Sequence, residues 1–364
     1  MRIGIDASRA IIKQKTGVER YSYEIIKHLI SNKKYRYLLW TNKSLPEKFK
    51  LNNVTEKIIK FPKLWTQIGL AISTYLNKTD IIFIPSHVIP LLGKGKFVVM
   101  IHDLAFDYYP DVYSKKELFY HRIALKIAFI KSSAIIVPSY TTKDDLVKLY
   151  NADPDKIYVI QHGVDHNIFN VKNSQIEKQL EFGIKKPYIL YTGRLELKKN
   201  IINLIKAYAL LRQESMPKHQ LVLVGKPGSG YEEIEKNIAN LPANISKDII
   251  LTGYVVDATY QDILFQADIF VMPSIYEGFG MPVLESMASG IPVVVNNTPC
   301  LKELVGSSGL VVDCSKPFPL AAKLSYLIHH KDQYLSLRRR GLIKSKNYTW
   351  EKCADETLNV LEKV

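Results

Sequence analysis

The sequence has few cysteines and no long apolar run. Its 364 residues include three cysteines, Cys300, Cys314 and Cys353, without the paired spacing of a zinc site or a redox motif. Such a sparse, odd set argues against a disulfide framework and for a reducing compartment. The N-terminus lacks the charged and then apolar pattern of a signal peptide, and no stretch reaches the roughly 20 apolar residues of a membrane-spanning helix. We therefore expect a cytoplasmic protein.

Acidic residues are scarce relative to basic ones. The chain carries 50 Lys and Arg against 35 Asp and Glu, a net charge of +15, and residues 1–170 contribute +11 of it with 26 basic and 15 acidic residues. A basic half suits nucleic acid, an anionic membrane surface or phosphorylated ligands, and equally a solvated lysine-rich surface. Because no helix-turn-helix, zinc-finger or RNA-binding aromatic signature accompanies the charge, we expect no nucleic-acid partner.

Short apolar runs alternate with amphipathic segments along the chain, which predicts parallel sheets covered by helices. The predicted strands are 2–5, 37–40, 57–59, 81–84, 97–101, 134–137 and 157–160, and then 188–191, 220–224, 249–251, 269–272, 293–295 and 310–312. The length and a polar seam at 163–186 predict two doubly wound domains, at residues 1–170 and 171–346. Residues 347–364 are predicted to form a helix that packs back on the first domain.

The stretch 273–285 reads PSIYEGFGMPVLE and contains the strongest functional signal. A predicted strand runs into a glycine loop, and a helix begins near Pro282, where proline is tolerated in the first turn. Gly278 and Gly280 let the backbone turn sharply and leave free amides over the helix N-terminus, an arrangement that binds phosphate. Glu277 and Glu285 can face one ligand from two sides. The alternative is a loop that only connects a strand to a helix.

In the stretch 273–285 the chain resembles glycosyltransferase family 4, whose sequence motif is two glutamates separated by seven residues. Glu277 and Glu285 have that spacing. Three further motifs resemble those of the family and occur in the same order, namely HGVD (162–165), TGYV (252–255) and TWEKCADETL (349–358). The resemblance covers nearly the whole chain. It implies the α/β GT-B fold, with two Rossmann-like domains facing across a cleft. It also implies that the enzyme transfers a hexose with retention of configuration and without a metal cofactor.

Two cations precede a predicted helix in the stretch GRLELKKN (193–200). Arg194 can bind a phosphate bidentately and Lys199 adds a point charge, although surface cations are disfavoured at a helix start. The resemblance implies that both neutralise the diphosphate leaving group as its oxygen gains charge. It assigns Glu277 to hydroxyls of the transferred sugar and Glu285 to those of the ribose.

The resemblance also implies further contacts with the donor. His102 ends a predicted strand and would reach the donor sugar across the cleft, although a lone histidine is more often structural. Gly17 would approach a substrate closely; many family members have two adjacent glycines there, whereas this chain has Thr16–Gly17. The other predicted donor-binding residues are Gly225, Ser274, Tyr276, Gly278, Phe279, Gly280, Met281 and Glu285. For Ser274 and Tyr276 the alternative is core packing.

No residues are predicted to bind a metal. The only Asp-x-Asp, Asp153-Pro-Asp155, has the composition of a turn between a helix and a strand. We therefore expect no cofactor, and a nucleotide diphosphate sugar as substrate.

The segment 114–133 suggests a further partner. It places Phe119, Ile123, Ile127 and Ile130 on one stripe among lysines and an arginine, as in helices that lie on anionic membranes. Leu118 and Leu125 fall off the stripe, which favours the alternative, a helix packed into the core on more than one side. Peripheral contact with the inner leaflet of the cytoplasmic membrane stays a possibility at this point.

Short motifs of the chain resemble those of bacterial mannosyltransferases that build polysaccharide, namely IDASRA, TGVERY and GRLELKKN. GDP-mannose is the leading donor, with UDP-hexoses and dTDP-rhamnose as alternatives, and the acceptor is a glycan or a lipid-linked sugar. A nucleotide-sugar epimerase and a catalytically silent binding subunit are the rival functions. A dinucleotide-dependent dehydrogenase is disfavoured because no G-x-G-x-x-G follows the first strand.

Overall fold

The computed structural model describes residues 1–61, 64–175, 178–213 and 219–364. Residues 176 and 177 of the predicted seam lie outside this part. The chain forms two compact units, one of Met1–Gly163 with Thr349–Val364, the other of Val164–Tyr348. The predicted divisions lie after residues 170 and 346. Across the described ranges, no helix is both long and apolar enough to cross a membrane.

Within the described residues, the first unit contains a sheet of seven parallel strands in the order β3-β2-β1-β4-β5-β6-β7. The strands are β1 (Arg2–Asp6), β2 (Arg36–Thr41), β3 (Val54–Ile58), β4 (Ile81–Ile84), β5 (Phe97–Met100), β6 (Ser132–Val137) and β7 (Ile157–Val159). All seven were predicted, but β3 begins three residues before the predicted 57–59. As an edge strand it is half exposed and mixes polar with apolar side chains, so only its end reads as an apolar run.

Helices cover this sheet. They are α1 (Gly17–Ser31), α2 (Ala71–Leu76), α3 (Ala105–Tyr108), α4 (Lys115–Lys131) and α5 (Tyr140–Tyr150), with short turns at Glu47–Phe49, Trp65–Leu70, Pro110–Val112 and Pro154–Lys156. The helix at the end of the chain, Trp350–Lys363, belongs to this unit and packs on α1. Trp350 carries much of that contact, with its ring 6.0 Å from Tyr21 and 6.4 Å from His28.

In the described part of the second unit, six parallel strands have the order β10-β9-β8-β11-β12-β13. They are β8 (Tyr188–Thr192), β9 (Gln220–Val224), β10 (Ile249–Gly253), β11 (Ile269–Met272), β12 (Val293–Asn296) and β13 (Leu310–Val312), all of them predicted. This is the doubly wound order in which the chain reverses direction between the first and fourth strands, here β8 and β11. Ligands of such sheets bind beyond the carboxyl ends of the strands at that reversal.

The helices of the second unit are α6 (Val171–Ser174), α7 (Ile201–Gln213), α8 (Tyr231–Ala239), α9 (Ala243–Ser246), α10 (Asp257–Phe265), α11 (Met281–Ala288), α12 (Pro299–Val305), α13 (Pro317–His329) and α14 (Lys331–Ser345). Counted along the whole chain, the terminal helix Trp350–Lys363 is α15. Short turns occur at Leu197–Lys199 and Gly306–Ser308. The strand β11 leads directly to α11 through the glycine loop, so the fold puts that loop at the reversal.

Candidate functional site

The loops that follow β8 and β11 lie side by side at the reversal of the second sheet. The Ile275 N–H donates to the carbonyl of Lys198 at 3.1 Å, and the Asn200 side-chain amide donates to the carbonyl of Pro273 at 3.2 Å. Two stretches that are about 75 residues apart in sequence are thus hydrogen-bonded to each other. This brings the predicted cations next to the predicted glutamate loop.

Lys199 and Glu277 form an ion pair at the centre of these loops. The lysine Nζ lies 2.7 Å from Glu277 Oε1, and each side chain is only 15% exposed. A charge-assisted hydrogen bond of this length with little solvent around it holds both groups in one position. The neighbouring Lys198 pairs with Glu196 at 3.4 Å. Lys199 is therefore held against the glutamate loop by its ion pair.

Arg194 is the exposed cation of the site. In the described ranges, no residue forms an ion pair or a side-chain hydrogen bond with its guanidinium. Its backbone is nevertheless fixed, because the Leu195 N–H donates to the Lys226 carbonyl at 2.8 Å and the Tyr191 hydroxyl donates to the Arg194 carbonyl at 3.2 Å. A cation held in place by its backbone, with a solvated head, is available to an anionic ligand.

Gly225 ends β9 at a point where two loops nearly touch. A Cβ there would lie 1.8 Å from the carbonyl oxygen of Gly193, and the φ of +150° is one that L residues rarely adopt. Gly193 has a similar φ of +148°. The glycine predicted to line the nucleotide pocket therefore has at least a packing role, which is to let the β8 loop close over the β9 loop.

The glycine loop gives α11 an open N-terminus. Gly280 has a φ of +111° and immediately precedes the helix. Among the described residues, none accepts a hydrogen bond from the backbone N–H groups of Gly278, Gly280 or Met281. Free amides at the positive end of a helix attract anions. Phe279, by contrast, is buried, and its ring lies 6.2 Å from Tyr348.

Glu285 lies in the middle of α11 and is 6% exposed. The hydroxyl of Tyr260, on α10, donates a short hydrogen bond to its Oε2. Sequence reasoning missed Tyr260, since nothing in its local pattern indicates a partner on another helix. Ser274 is fully buried, with its hydroxyl 3.2 Å from the Met272 sulfur, a geometry that suits the core-packing alternative. Tyr276 is half-buried.

Asn200 was also missed, although it holds the site together. It has a left-handed backbone, with a φ of +57°, and its amide donates to the carbonyls of Pro273 and, at 2.7 Å, Cys314. It thereby joins the β8, β11 and β13 loops. The available signal was an asparagine directly before a helix, where its short polar side chain tolerates left-handed geometry.

In the first unit, His102 follows β5 and lies among rings. Its Nε2 is 3.0 Å from the Pro85 carbonyl, and its ring meets Tyr21 edge-on at 4.9 Å. Burial lowers its pKa below the ordinary value. Next to it, His162 lies 4.5 Å from Tyr21 and stacks on Trp350 at 6.1 Å, and burial lowers its pKa strongly. His162 of the HGVD stretch is therefore packed against the terminal helix.

A second histidine pair, also missed from sequence, joins the β4 loop to α4. His121 Nδ1 lies 3.2 Å from His87 Nε2, and burial lowers the pKa of His87 to about 3. His121 also stacks on Phe106 at 5.2 Å. Because one imidazole must accept from the other, the pair is stable when at least one ring is neutral.

The first glycine loop of this unit forms a helix start. Gly17 is the exposed first residue of α1, and Thr16 precedes it with a capping box in which Glu19 accepts from the Thr16 N–H at 3.0 Å. Arg9 lies 3.3 Å from the same carboxylate. The structure thus groups Arg194, Lys199, Glu277 and Glu285 in the second unit, and places Gly17 and His102 in the first.

Comparison with known proteins covers both units. The model for group 1 glycosyl transferases matches residues 172–343, and the model for glycosyltransferase family 4 matches residues 15–168. The chain belongs to glycosyltransferase family 4. Its predicted family and its activity as a glycosyltransferase are confirmed.

Two curated relatives of this glycosyltransferase are O-antigen chain mannosyltransferases. That of Escherichia coli, mannosyltransferase B, is 29% identical over 270 residues, which are 72% of this chain and 69% of the relative. RfbU of Salmonella typhimurium is 31% identical over 228 residues, which are 62% and 59% of the two chains. The match to RfbU therefore leaves about two fifths of that protein outside it.

Solved structures confirm the fold class. Sucrose-phosphate synthase from Thermosynechococcus elongatus matches with a TM-score of 0.79 and 18% identity over 100% of this chain and 98% of the other. HepE from Anabaena in complex with UDP-glucose matches with a TM-score of 0.78 and 18% identity over the full length of both. At this identity the likeness shows the GT-B fold alone.

Over the described ranges of this glycosyltransferase, no group of three or more His, Cys, Asp or Glu side chains is close enough to hold a metal ion. Asp153 caps a turn, with its Oδ1 accepting from the Asp155 N–H at 3.0 Å, so the Asp-x-Asp pattern has the turn role predicted for it. The independence from metal stays a prediction.

Proposed function

We propose that this glycosyltransferase transfers mannose from GDP-mannose to a glycan or lipid-linked acceptor in polysaccharide or glycolipid synthesis, with retention of anomeric configuration. The observation that carries the proposal is the grouping of Lys199, Glu277 and the exposed Arg194 beside free amides at the reversal of the second sheet. Two relatives named as O-antigen chain mannosyltransferases support mannose. UDP-hexoses and dTDP-rhamnose are the alternative donors.

The donor diphosphate would bind over the N-terminus of α11. The amides of Gly278, Gly280 and Met281 supply donors for its oxygens, while Arg194 and Lys199 supply positive charge. Glu285 is already oriented by Tyr260, which leaves its carboxylate in a fixed place to accept from the ribose hydroxyls. Glu277 would bind hydroxyls of the sugar while its ion pair holds Lys199 in place.

Catalysis would come from stabilising the leaving group. As the glycosidic bond breaks, the diphosphate oxygen gains negative charge, and cations fixed beside it stabilise that charge more than they stabilise the ground state. A donor phosphate oxygen would take the acceptor proton on the face that the leaving group departs from, which gives retention. His102 would contact the donor sugar as a neutral group, because burial lowers its pKa.

In this scheme the protein cations do the work of a metal ion, so activity should not require one. We further propose a cytoplasmic location with peripheral contact to an anionic membrane, since a lipid-linked acceptor would be reached from its surface. The epimerase and silent-subunit alternatives lack a supporting observation in the structure.

The test is a transfer assay with purified protein in EDTA. GDP-mannose, UDP-glucose and dTDP-rhamnose are each supplied with and without a polysaccharide-repeat acceptor, and nucleotide release and product are measured. We expect acceptor-dependent GDP release and an α-mannosidic product, identified by its one-bond carbon–proton coupling. A β-linked product would refute retention. Release of UDP or dTDP alone would mean that the donor is UDP-glucose or dTDP-rhamnose instead of GDP-mannose. Isomerisation of the donor sugar without transfer would make the protein an epimerase.

A further inference from the structure

Three neighbouring segments of the first unit expose large apolar side chains, and we call them together the docking face. It comprises Ile72, Tyr75 and Leu76 of α2, Leu91 and Leu92 of the β4–β5 loop, and Phe119, Ile123 and Ile130 of α4. Ile130 is 83% exposed and Leu76 is 76% exposed. Eight such residues in one part of a molecule are more than the scattered apolar side chains of an ordinary surface.

The segments are joined by specific hydrogen bonds. The Lys131 ammonium, at the end of α4, donates to the carbonyls of Leu91 at 2.5 Å and Gly93 at 2.8 Å. On the other side of the loop, the Leu91 N–H donates to Gln67 Oε1 at 2.9 Å and the Lys94 N–H donates to Thr74 Oγ1 at 2.9 Å. The loop is thus fixed to α4 on one side and to the Trp65–Leu76 region on the other.

The orientation of α4 overturns the expectation that its apolar stripe is packed into the core. The buried side of the helix is made of Ala124, Leu125 and Ala128. Phe119, Ile123 and Ile130 lie on another side and are exposed by 69%, 40% and 83%. Ala124, Leu125 and Ala128 pack α4 against the sheet, so Phe119, Ile123 and Ile130 are not needed for that packing.

The charges of the docking face identify its partner. Residues 64–78, 89–96 and 115–131 contain one acidic residue, Glu117. Their basic residues are Lys78, Lys94, Lys96, Lys115, Lys116, Arg122, Lys126 and Lys131. Of these, Lys131 and Lys96 donate to backbone carbonyls and Arg122 pairs with Asp107, so the charge argument rests on the other five. Protein–protein interfaces are depleted of lysine in their cores, whereas the surface of an anionic bilayer accepts apolar side chains and attracts lysines at once.

We infer that the docking face binds the surface of an anionic lipid bilayer. Its apolar side chains enter the boundary between headgroups and acyl chains, and the lysines around them contact lipid phosphates. The inference rests on the membrane contact of the proposed function and deepens it by naming the surface that makes this contact. It would bring the glycosyltransferase to an acceptor that is carried by lipid.

The test is co-sedimentation of the full chain with phosphatidylcholine vesicles that contain or lack phosphatidylglycerol. One variant replaces Phe119, Ile123 and Ile130 with Gln, a second replaces Lys115, Lys116 and Lys126 with Gln, and a matched control replaces the exposed Phe318, Leu335 and Ile343 of the second unit with Gln. We expect the wild type and the control to bind the anionic vesicles, and both docking-face variants to bind about tenfold or more weakly.

Failure to bind anionic vesicles, equal binding to phosphatidylcholine alone, or an equal loss in the control variant would overturn the inference. So would a wild type that elutes as a dimer while the Phe119, Ile123 and Ile130 variant elutes as a monomer, because the face would then join two copies. Thermal melting with and without GDP is measured on the same samples. Loss of vesicle binding with an intact GDP shift concerns the docking face alone, whereas an absent GDP shift in wild type counts against the proposed donor.

Discussion

The two units of this glycosyltransferase place different groups beyond the carboxyl ends of their parallel strands. In the second unit, the loops after β8 and β11 carry ions, Lys199 paired with Glu277 and the solvated Arg194. In the first unit, the segments after β5 and β7 carry rings, with His102 and His162 around Tyr21 of α1. Burial lowers the pKa of both histidines, so these rings are neutral where the other unit is charged.

This difference separates two tasks of a transfer reaction. A departing diphosphate requires positive charge and free N–H groups, and those occur together in the second unit. Neutral rings would contribute shape and hydrogen bonds without attracting the diphosphate. We therefore assign the donor to the second unit, and the following predictions test that assignment.

The largest effect is expected for Arg194→Ala, which removes the exposed cation of the second unit. We expect kcat to fall by about 10²- to 10³-fold, because the developing charge of the leaving group loses a partner. The kcat of Arg194→Lys should lie between those of the wild type and Arg194→Ala, since lysine keeps the charge but loses the bidentate geometry. The control is Arg212→Ala, which breaks a pair with Asp248 at 2.8 Å in the same unit. If both alanine variants kept nearly full kcat, Arg194 would have no catalytic role.

Gly225→Ala should disrupt the loops that carry those ions. A Cβ would come within 1.8 Å of the Gly193 carbonyl oxygen, so we expect the free energy of unfolding to fall by about 3 kcal/mol, measured by denaturant titration with far-UV circular dichroism. Gly253→Ala is the matched control: its φ is +67° but nothing lies within 4 Å of the added Cβ, so it should cost only about 1–2 kcal/mol. Equal costs would mean that the close approach has no energetic weight.

Substitutions of Asn200 test whether Lys199 and Glu277 need the hydrogen bonds that join their loops. Asn200→Gly keeps the left-handed backbone and removes the amide that contacts the Pro273 and Cys314 carbonyls, so it should destabilise by about 1–2 kcal/mol. We expect kcat to fall more than the KM for the donor changes, because Lys199 loses its fixed position. Asn200→Ala should cost about 1 kcal/mol more through backbone strain. An unchanged kcat in the glycine variant would make Asn200 purely structural.

The neutral rings predict that acid destabilises the first unit. His87, His102 and His162 have folded pKa values below the unfolded value of about 6.5, so the unfolded chain binds more protons as pH falls below that point. Stability should therefore fall by up to about 1.4 kcal/mol per pH unit for each histidine. The raised pKa of Asp6 acts in the opposite direction, because the folded state takes up that proton at a higher pH than the unfolded chain does.

Tryptophan fluorescence measures this in one unit, since Trp40, Trp65 and Trp350 all belong to the first. The denaturant concentration at which the first unit is half unfolded should decrease as the pH is lowered from 7 to 5. His162→Gln should make that decrease smaller by about the contribution of one histidine. A midpoint that stays constant over this range would show that the rings are not held neutral.

Much of this architecture was predictable because buried parallel strands read as apolar runs, which is why all the strands were found and only the edge strand β3 was misplaced. Local sequence motifs indicate a glycine loop and a helix start, which made four site residues predictable: Glu277, Glu285, Arg194 and Lys199. Tyr260, and the packing of His162 on Trp350, depend on contacts between distant parts of the chain that no local pattern encodes. The outward stripe of α4 was misjudged because periodicity shows that a helix has an apolar side but not which side the sheet covers.

The most direct test of the central claim is calorimetric titration of GDP, UDP and dTDP into the wild type and Arg194→Ala in EDTA. The account predicts that GDP binds most tightly without metal, and that Arg194→Ala weakens its binding by about tenfold or more. Tighter binding of UDP or dTDP would move the donor to that nucleotide. Binding of no nucleotide without metal, or equal binding by the variant, would contradict the assignment of the diphosphate to the cations and amides of the second unit.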